Sequence, residues 1–174
     1  MYKKLLYSKL NYKQKKHITD FIKLSFESLD NVSLEENTII ILMIEENTFI
    51  KNEQNYNKIN NIDNIIGCMC LLDNIHLQEK IIKSNLPSKF YNFDPLLNGI
   101  FLYNFCVHPN YRNKNYGNGF ILEAIKLSKK LNLNYIHCNA ENLISKNLFI
   151  KNEFIEVEQF NNSNKIIYLL SKYL

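Results

Sequence analysis

A strand-like run, a short polar loop and an amphipathic segment follow one another between residues 99 and 132. GIFLYNFCV (99–107) is an apolar run of strand length, stopped by Pro109. FILEAIKLSKKLN (120–132) places its apolar residues at helical spacing, which predicts a helix with one buried face. Between them, YRNKNYGNG (111–119) holds the only arginine of the chain and two of its four glycines. A strand that feeds a helix through so short a loop favours a fold in which helices pack on a sheet.

The remaining patterns extend this architecture. Helical spacing predicts helices over 12–28 and 142–154, and apolar runs predict strands over 37–46, 65–72, 135–140, 154–160 and 165–174. The Asn-rich stretch 47–64 is predicted to be an enlarged hairpin loop, and 73–98 is loop-like, with one short helix as an open alternative. We therefore expect an α+β domain whose mixed sheet is covered by helices.

Length and hydropathy limit the domain count and the compartment. The 174 residues suit a single domain over 1–174, with the 47–64 loop as an insertion. No run of about 18 apolar residues is present, and the N-terminus has no signal-peptide pattern. A cytoplasmic protein is expected, with the nucleus as an alternative.

The four cysteines, Cys68, Cys70, Cys106 and Cys138, form no CxxC pair. Most of them lie in strand-like apolar runs, so we predict reduced core residues. Their spacing does not suit a zinc site, and no metal is expected.

The net charge of +4 comes from scattered lysines. A nucleic-acid surface needs a denser basic stripe with interleaved aromatic residues, so nucleic-acid binding is the weakest alternative function. Asparagine is abundant throughout the chain, and this compositional bias is typical of proteins encoded by AT-rich DNA. Individual asparagines therefore carry weight only where their neighbours give a reason.

The loop before the 120–132 helix has the chemistry of a phosphate site. A helix N-terminus offers free N–H groups and the positive end of the helix dipole. Gly117 permits close approach or a positive φ, Arg112 can present a forked pair of donors, and Lys114 adds charge. The loop reads as a pyrophosphate cradle, and the alternative is an ordinary strand–helix turn. Neither a P-loop nor a GxGxxG string occurs.

VHPNYRNKNYGNGFILEAIK resembles motif A of the GNAT superfamily of acetyl-CoA-dependent N-acetyltransferases. The loop pattern Arg/Gln-x-x-Gly-x-Gly/Ala falls on Arg112 to Gly117, with Asn115 in place of the first glycine. Asparagine tolerates the left-handed region better than other residues that carry a side chain, so the loop is expected to survive. NLISKNLFIKNEF (142–154) resembles the second block of the family, with departures at Ser145, Phe149 and Glu153.

The resemblance implies an α+β fold of the three-layer type, with a mixed, mostly antiparallel sheet covered by helices on both faces. It also implies acetyl-CoA as the acetyl donor. It implies that the end of the 99–107 strand splays from the 135–140 strand and that its backbone binds the pantetheine arm. It also implies that the 112–118 loop binds the pyrophosphate and that the 142–154 segment lines the far wall of the groove. The expected donor-binding residues are Phe105, Val107, Arg112, Asn113, Lys114, Asn115, Tyr116, Gly117, Asn118, Asn142 and Phe149.

The catalytic positions depart from the family. The family often carries a tyrosine acid where this chain has Phe149, and a glutamate base near Phe101. Two replacements are candidates, His137 in the 135–140 strand and Tyr103, and each has an ordinary packing role as its alternative. Direct attack by the amine is expected, and a cysteine nucleophile is disfavoured because strand alternation can turn Cys106 and Cys138 away.

The acceptor is expected to be a primary amine of a small molecule or of a protein N-terminus. The sequence offers no obvious strong base, which favours α-amines as acceptors because they are partly neutral at pH 7. LSKKLN (127–132) is similar to a stretch of glucosamine-phosphate acetyltransferases, so an amino-sugar phosphate stays open. Loops 28–36 and 73–98 are expected to select the acceptor. The alternative function is a catalytically weak sensor or partner-binding module for coenzyme A. The expected state is monomer or homodimer, without membrane partners.

Overall fold

The structure is a computed structural model that describes residues 2–26, 32–45, 64–84, 98–162 and 165–174. Within these ranges the chain forms seven strands and four α-helices. In chain order they are β1 (Tyr2–Leu6), α1 (Tyr12–Ser25), β2 (Ile39–Ile44), β3 (Ile65–Asp73), α2 (Asn74–Ser84), β4 (Gly99–Val107), α3 (Tyr116–Lys130), β5 (Tyr135–Ala140), α4 (Leu143–Lys151), β6 (Ile155–Asn162) and β7 (Lys165–Tyr173).

The strands hydrogen-bond in the order β1-β2-β3-β4-β5-β7-β6. β4 and β5 are parallel, whereas β1 with β2, β5 with β7 and β6 with β7 are antiparallel. The expected α+β class with a mostly antiparallel sheet is confirmed.

The chain divides into two compact units, each built from two separate stretches. The first contains residues 1–70 and 104–117, and the second contains residues 71–103 and 118–174. The core of the first unit includes Phe21, Ile22 and the buried strand β2. In the second unit, Phe120 and Ile121 of α3 and most of β5 are buried.

Most predicted elements are confirmed. The strands predicted over 99–107 and 135–140 agree with β4 and β5 to the residue. The helix predicted from residue 120 begins earlier, at Tyr116, because the loop glycines take helical backbone conformations. β1 was not predicted, since its five residues, YKKLL, do not alternate polar and apolar side chains and give no strand signal. The 47–64 loop lies almost entirely outside the described residues.

A capping box starts α1. The Asn11 side chain accepts from the Gln14 backbone N–H at 2.9 Å, and the Gln14 side chain accepts from the Asn11 N–H at 3.0 Å. These bonds satisfy donors that a helix start leaves unpaired. The helix then buries Ile18, Phe21 and Ile22 on one face.

A Schellman motif ends α4. The Glu153 N–H donates to the Ile150 carbonyl at 2.9 Å, and the Phe154 N–H donates to the Phe149 carbonyl at 3.2 Å. The Phe149 and Phe154 rings meet edge to face, 5.0 Å apart, which is the apolar contact that usually accompanies this motif. Glu153 occupies the left-handed position with φ 64°, where glycine is the common residue.

None of the helices in the described parts of the chain is long and apolar enough to cross a membrane.

Replacing Glu153 with glycine is expected to stabilise the protein relative to Glu153→Ala. Both changes remove the exposed contact of Glu153 with Lys172 Nζ at 2.6 Å, but only glycine relieves the left-handed backbone. Thermal or urea unfolding measures the difference. A Glu153→Gly protein less stable than Glu153→Ala would show that this backbone position carries no strain.

Candidate functional site

The segment from Arg112 to Asn118, called the arginine loop below, has an unusual backbone. Asn113 and Asn115 both lie in the left-handed region, each with φ 62°. The expectation that Asn115 adopts this conformation in place of a glycine is confirmed. Gly117 has no positive φ, since it already belongs to the first turn of α3. A positive φ at Gly117 is therefore ruled out, and close approach of its backbone to a ligand stays a prediction.

Arg112 closes the end of β4. Its Nε donates to the Val107 carbonyl at 3.1 Å, and its backbone N–H donates to the Pro109 carbonyl at 3.2 Å. The remaining guanidinium N–H donors make no hydrogen bond within the described residues. The bond at Nε holds the guanidinium group beside the loop, and its remaining N–H donors belong to an exposed side chain.

The start of α3 offers backbone donors. The helix begins at Tyr116, so the first four amides, from Tyr116 to Gly119, have no helical carbonyl to bond. The Tyr116 carbonyl accepts from the Tyr2 hydroxyl at 3.0 Å. Lys114 Nζ lies 5.2 Å from the centroid of the Tyr111 ring, a cation–π geometry that keeps the ammonium at the loop.

Asn118 belongs to the second unit, where its side chain contacts the end of α4. Asn152 Nδ2 donates to Asn118 Oδ1 at 2.9 Å and to the Leu148 carbonyl at 2.8 Å. The amide of Asn152 thus ties the first turn of α3 to α4 inside this unit.

The predicted alternation along β4 is interrupted. Asn104 has φ 47° inside the strand, so the two-residue repeat of side chains cannot run through it. Strict alternation along 99–107 would put Tyr103, Phe105 and Val107 on one face, and this grouping does not follow past Asn104. Phe105 and Val107 are both half-buried.

The parallel ladder between β4 and β5 is short. It runs from Gly99 opposite Tyr135 to Leu102 opposite Cys138 and leaves Tyr103 and Asn139 outside the register. Pairing thus ends before either strand does, and the splay that the resemblance implies stays a prediction.

His137 lies in a buried polar cluster of the second unit. Its exposed fraction is 1%, and its Nε2 lies 2.9 Å from Asn74 Oδ1. Asn74 Nδ2 in turn donates to the Tyr135 hydroxyl at 2.6 Å. We call Asn74, Tyr135 and His137 the amide triad.

Two aromatic residues of β4 extend the amide triad. The Phe101 ring centroid lies 5.1 Å from that of His137 and 5.9 Å from that of Tyr103. Tyr103 packs against the apolar face of α2 formed by Leu77 and Ile81. Lys80 Nζ lies 5.6 Å from the centroid of the Tyr103 ring. Helix α2, which lies in the 73–98 segment, therefore packs over Phe101 and Tyr103 of β4.

Asn142 and Phe149 both make contacts that stabilise α4. Asn142 caps α4, since its Oδ1 accepts from the Ser145 N–H at 2.8 Å, and it is exposed. Phe149 is 2% exposed and packs on Phe154. Their assignment to a donor groove stays a prediction.

All four cysteines are free and buried, as predicted. Burial raises the pKa of the Cys106 and Cys138 thiols, and the hydrogen bond to Cys70 together with burial raises the pKa of Cys68. Thiols in this state are poor nucleophiles at neutral pH.

The sequence of the chain matches the model of the acetyltransferase (GNAT) family over residues 19–154. Because the match spans more than half of the 174 residues, the chain belongs to this family. Membership identifies it as an acetyltransferase of the GNAT type, with acetyl-CoA as the acetyl donor that the family uses.

Solved structures share the fold at low sequence identity. The NatC complex bound to Gag peptide and CoA has a chain with a TM-score of 0.62 and 15% identity, covering 100% of this chain and 98% of that one. An acyl-CoA N-acyltransferase from Pseudomonas aeruginosa has a TM-score of 0.68 and 10% identity, with coverages of 99% and 98%. NAA60 of Arabidopsis thaliana in complex with acetyl-CoA has a TM-score of 0.61 and 11% identity, with coverages of 100% and 98%. No curated protein matches the chain.

Asn74 is the candidate site residue that sequence reasoning missed. It lies in a stretch read as loop-like, and only the spacing of Leu77 and Ile81 signalled a buried helix face there. Nothing in the sequence indicated that the first residue of that helix would contact a histidine 63 positions away.

Native thiols are expected to resist a bulky thiol reagent such as Ellman's reagent at pH 8. The raised pKa values keep Cys68, Cys106 and Cys138 protonated, and burial blocks access to all four cysteines. Absorbance in the folded state and then in denaturant counts the reactive groups. Rapid labelling of Cys106 or Cys138 in the native protein would instead support a mechanism with a cysteine nucleophile.

Proposed function

We propose that the protein is an N-acetyltransferase that transfers the acetyl group of acetyl-CoA to a primary amine, by direct attack of the amine in a ternary complex. The amine belongs to a small molecule or to a protein N-terminus. The observation that carries the proposal is the arginine loop, in which Arg112 and two left-handed asparagines precede the first turn of α3.

The arginine loop fits a pyrophosphate. Its Arg112 side chain is anchored through Nε and keeps further donors for phosphate oxygens. The amides of the first helical turn and the helix dipole add further attraction for an anion. We assign pyrophosphate binding to Arg112, Asn113, Lys114, Asn115, Tyr116, Gly117 and Asn118.

The rest of the donor is assigned on family grounds. The backbone near Phe105 and Val107 binds the pantetheine arm, and Asn142 and Phe149 line the groove. For Phe149 this role requires a change in packing on binding, since its ring is buried.

The reaction moves one proton overall. Acetyl-CoA supplies a thioester, and the new C–N bond forms as the C–S bond breaks. The amine loses a proton and the sulfur gains one. We assign proton acceptance to His137, whose Nε2 lies 2.9 Å from Asn74 Oδ1. Tyr103, half-buried beside Phe101, is the second candidate for proton transfer.

An α-amine is the favoured acceptor class. A group with a pKa of about 8 is partly neutral at pH 7, so a single imidazole suffices, whereas a lysine near 10.4 needs more help. The NatC structure holds a peptide together with CoA, which supports a peptide acceptor.

A catalytically weak module that binds coenzyme A is the second candidate. Phe101 is 6% exposed and Phe149 is 2% exposed, so both positions of the usual acid and base carry buried rings without a transferable proton. This alternative predicts donor binding without turnover.

A reducing compartment suits the protein. Its four cysteines are free thiols, which supports the cytoplasm, with the nucleus as the alternative.

Arg112→Ala is expected to weaken acetyl-CoA binding about tenfold or more, because charge-assisted bonds to phosphate are lost. Acetyl-CoA at about a hundred times its dissociation constant should raise the melting temperature of the unmodified protein by roughly 5–10 °C. The matched control is Lys130→Ala, which also removes one positive charge but at the C-terminal end of α3, away from the arginine loop.

Acetyl-pantetheine, which lacks the pyrophosphate, separates the loop from the rest of the site. Its binding should be equal in the unmodified and Arg112→Ala proteins. Equal acetyl-CoA affinity in Arg112→Ala and Lys130→Ala would remove the arginine loop from donor binding.

His137→Ala is expected to lower kcat about a hundredfold on an amine that the protein accepts, with KM for acetyl-CoA unchanged. A panel of small amines and peptides with free N-termini, assayed by thiol release, identifies the acceptor, and Tyr103→Phe tests the second group. Donor binding without turnover on the whole panel would favour the sensor over the enzyme.

A further inference from the structure

A side chain of the first strand reaches the arginine loop inside the first unit. The hydroxyl of Tyr2, in β1, donates to the backbone carbonyl of Tyr116 at 3.0 Å. Tyr116 is the first residue of α3, and the two tyrosines are 114 positions apart in the chain. The contact therefore joins a strand that the sequence did not predict to the loop that we assign to the pyrophosphate.

The backbone of Tyr2 is held by the sheet. Tyr2 pairs with Met43 in the antiparallel ladder of β1 with β2, and this ladder includes all five residues of β1. Most of β2 is buried, and Leu5 of β1 is buried as well. The Tyr2 hydroxyl is thus presented to the loop from a fixed backbone.

The carbonyl that accepts this bond shares a peptide group with the Gly117 N–H. A trans peptide group is planar, so a bond that fixes the carbonyl also fixes the direction of the N–H on its opposite side. The N–H groups of a helix point toward its N-terminus, where those of the first turn have no helical partner. The Gly117 N–H is therefore a free helical donor directed toward the arginine loop.

The bond from Tyr2 also makes the Gly117 N–H a stronger donor. A carbonyl oxygen has two lone pairs, so it can accept from the hydroxyl in addition to its helical bond. Hydrogen bonds that pass through one peptide group polarise each other, which strengthens the N–H as a donor to an anion.

A second contact holds the residue that precedes the arginine loop. The carboxylate of Glu45, which directly follows β2, hydrogen-bonds the Tyr111 side chain and raises the pKa of Tyr111. The Tyr111 ring centroid lies 6.4 Å from that of Tyr116 and 5.2 Å from Lys114 Nζ. The loop is thus attached to the neighbourhood of β1 and β2 on both of its sides.

We infer that Tyr2 is a positioning residue of the donor site, whose hydroxyl holds the peptide group between Tyr116 and Gly117 so that the Gly117 N–H binds a pyrophosphate oxygen of acetyl-CoA. The inference rests on the proposed function of the arginine loop. It extends donor binding to β1, which lies outside both sequence blocks that resemble the family.

The test compares Tyr2→Phe with the control Tyr12→Phe. Both changes remove one phenolic hydroxyl from the first unit, but Tyr12 lies on the surface of α1 and is 82% exposed. Tyr2→Phe should raise the Kd for acetyl-CoA about three- to tenfold, because one hydrogen bond that orients a phosphate donor is lost. Isothermal titration calorimetry measures this Kd. Acetyl-pantetheine, which lacks the pyrophosphate, should bind both variants and the unmodified protein equally.

A merely structural role of Tyr2 would weaken the binding of both donors alike. Equal weakening of acetyl-CoA and acetyl-pantetheine in Tyr2→Phe would therefore overturn the inference, as would an acetyl-CoA Kd equal to that of Tyr12→Phe. Loss of acetyl-CoA binding in Arg112→Ala with full binding in Tyr2→Phe would overturn the inference alone. An unmodified protein that binds no acetyl-CoA would overturn the proposed function and the inference together.

The hydrogen bond itself can be observed without any ligand. A bond to a peptide carbonyl moves the ¹⁵N resonance of the next amide downfield, so the Gly117 resonance of the full chain should move upfield in Tyr2→Phe. It should stay in place in Tyr12→Phe. A Gly117 resonance that is unchanged in Tyr2→Phe would show that the hydroxyl does not hold this peptide group, and would overturn the inference.

Discussion

The candidate site depends on the short parallel pairing of β4 with β5. This ladder sets Phe101 opposite His137 and Gly99 opposite Tyr135. Parallel neighbours need a crossover connection, and here α3 supplies it. The same connection explains why the arginine loop lies between the end of β4 and the start of a helix.

Left-handed backbone positions explain how the fold tolerates so few glycines. Among the described residues the positive φ angles belong to Asn104, Asn113, Asn115, Asn132 and Glu153, and no glycine has one. Among the residues with a side chain, asparagine adopts this conformation at the lowest cost in free energy. In a chain with four glycines, asparagine takes over their conformational role, including at the loop that we assign to the pyrophosphate. Asn115 therefore adopts a left-handed conformation at the position where the resemblance expects a glycine.

The polar groups of the second unit show how polar side chains can persist in an apolar environment. His137 and Asn74 are nearly as buried as the leucines around them, and each satisfies the other. The cost of leaving either one unpaired makes their geometry specific. By contrast, Phe101 and Phe149 fill their positions by packing alone, which is why family patterns of acid and base do not transfer to them.

Local sequence patterns predicted the class of fold, the strands β4 and β5, the burial of the cysteines and the tolerance of Asn115 for a left-handed backbone. These follow from local periodicity and backbone preference, which act over a few residues. The sequence by itself could not determine the pairing register, the interruption of β4 at Asn104 or the identity of Asn74 as a neighbour of His137. Those depend on contacts between residues far apart in the chain, such as the 63 positions from Asn74 to His137. Only the packing of α2 and β5 in the tertiary structure decides which polar side chains meet.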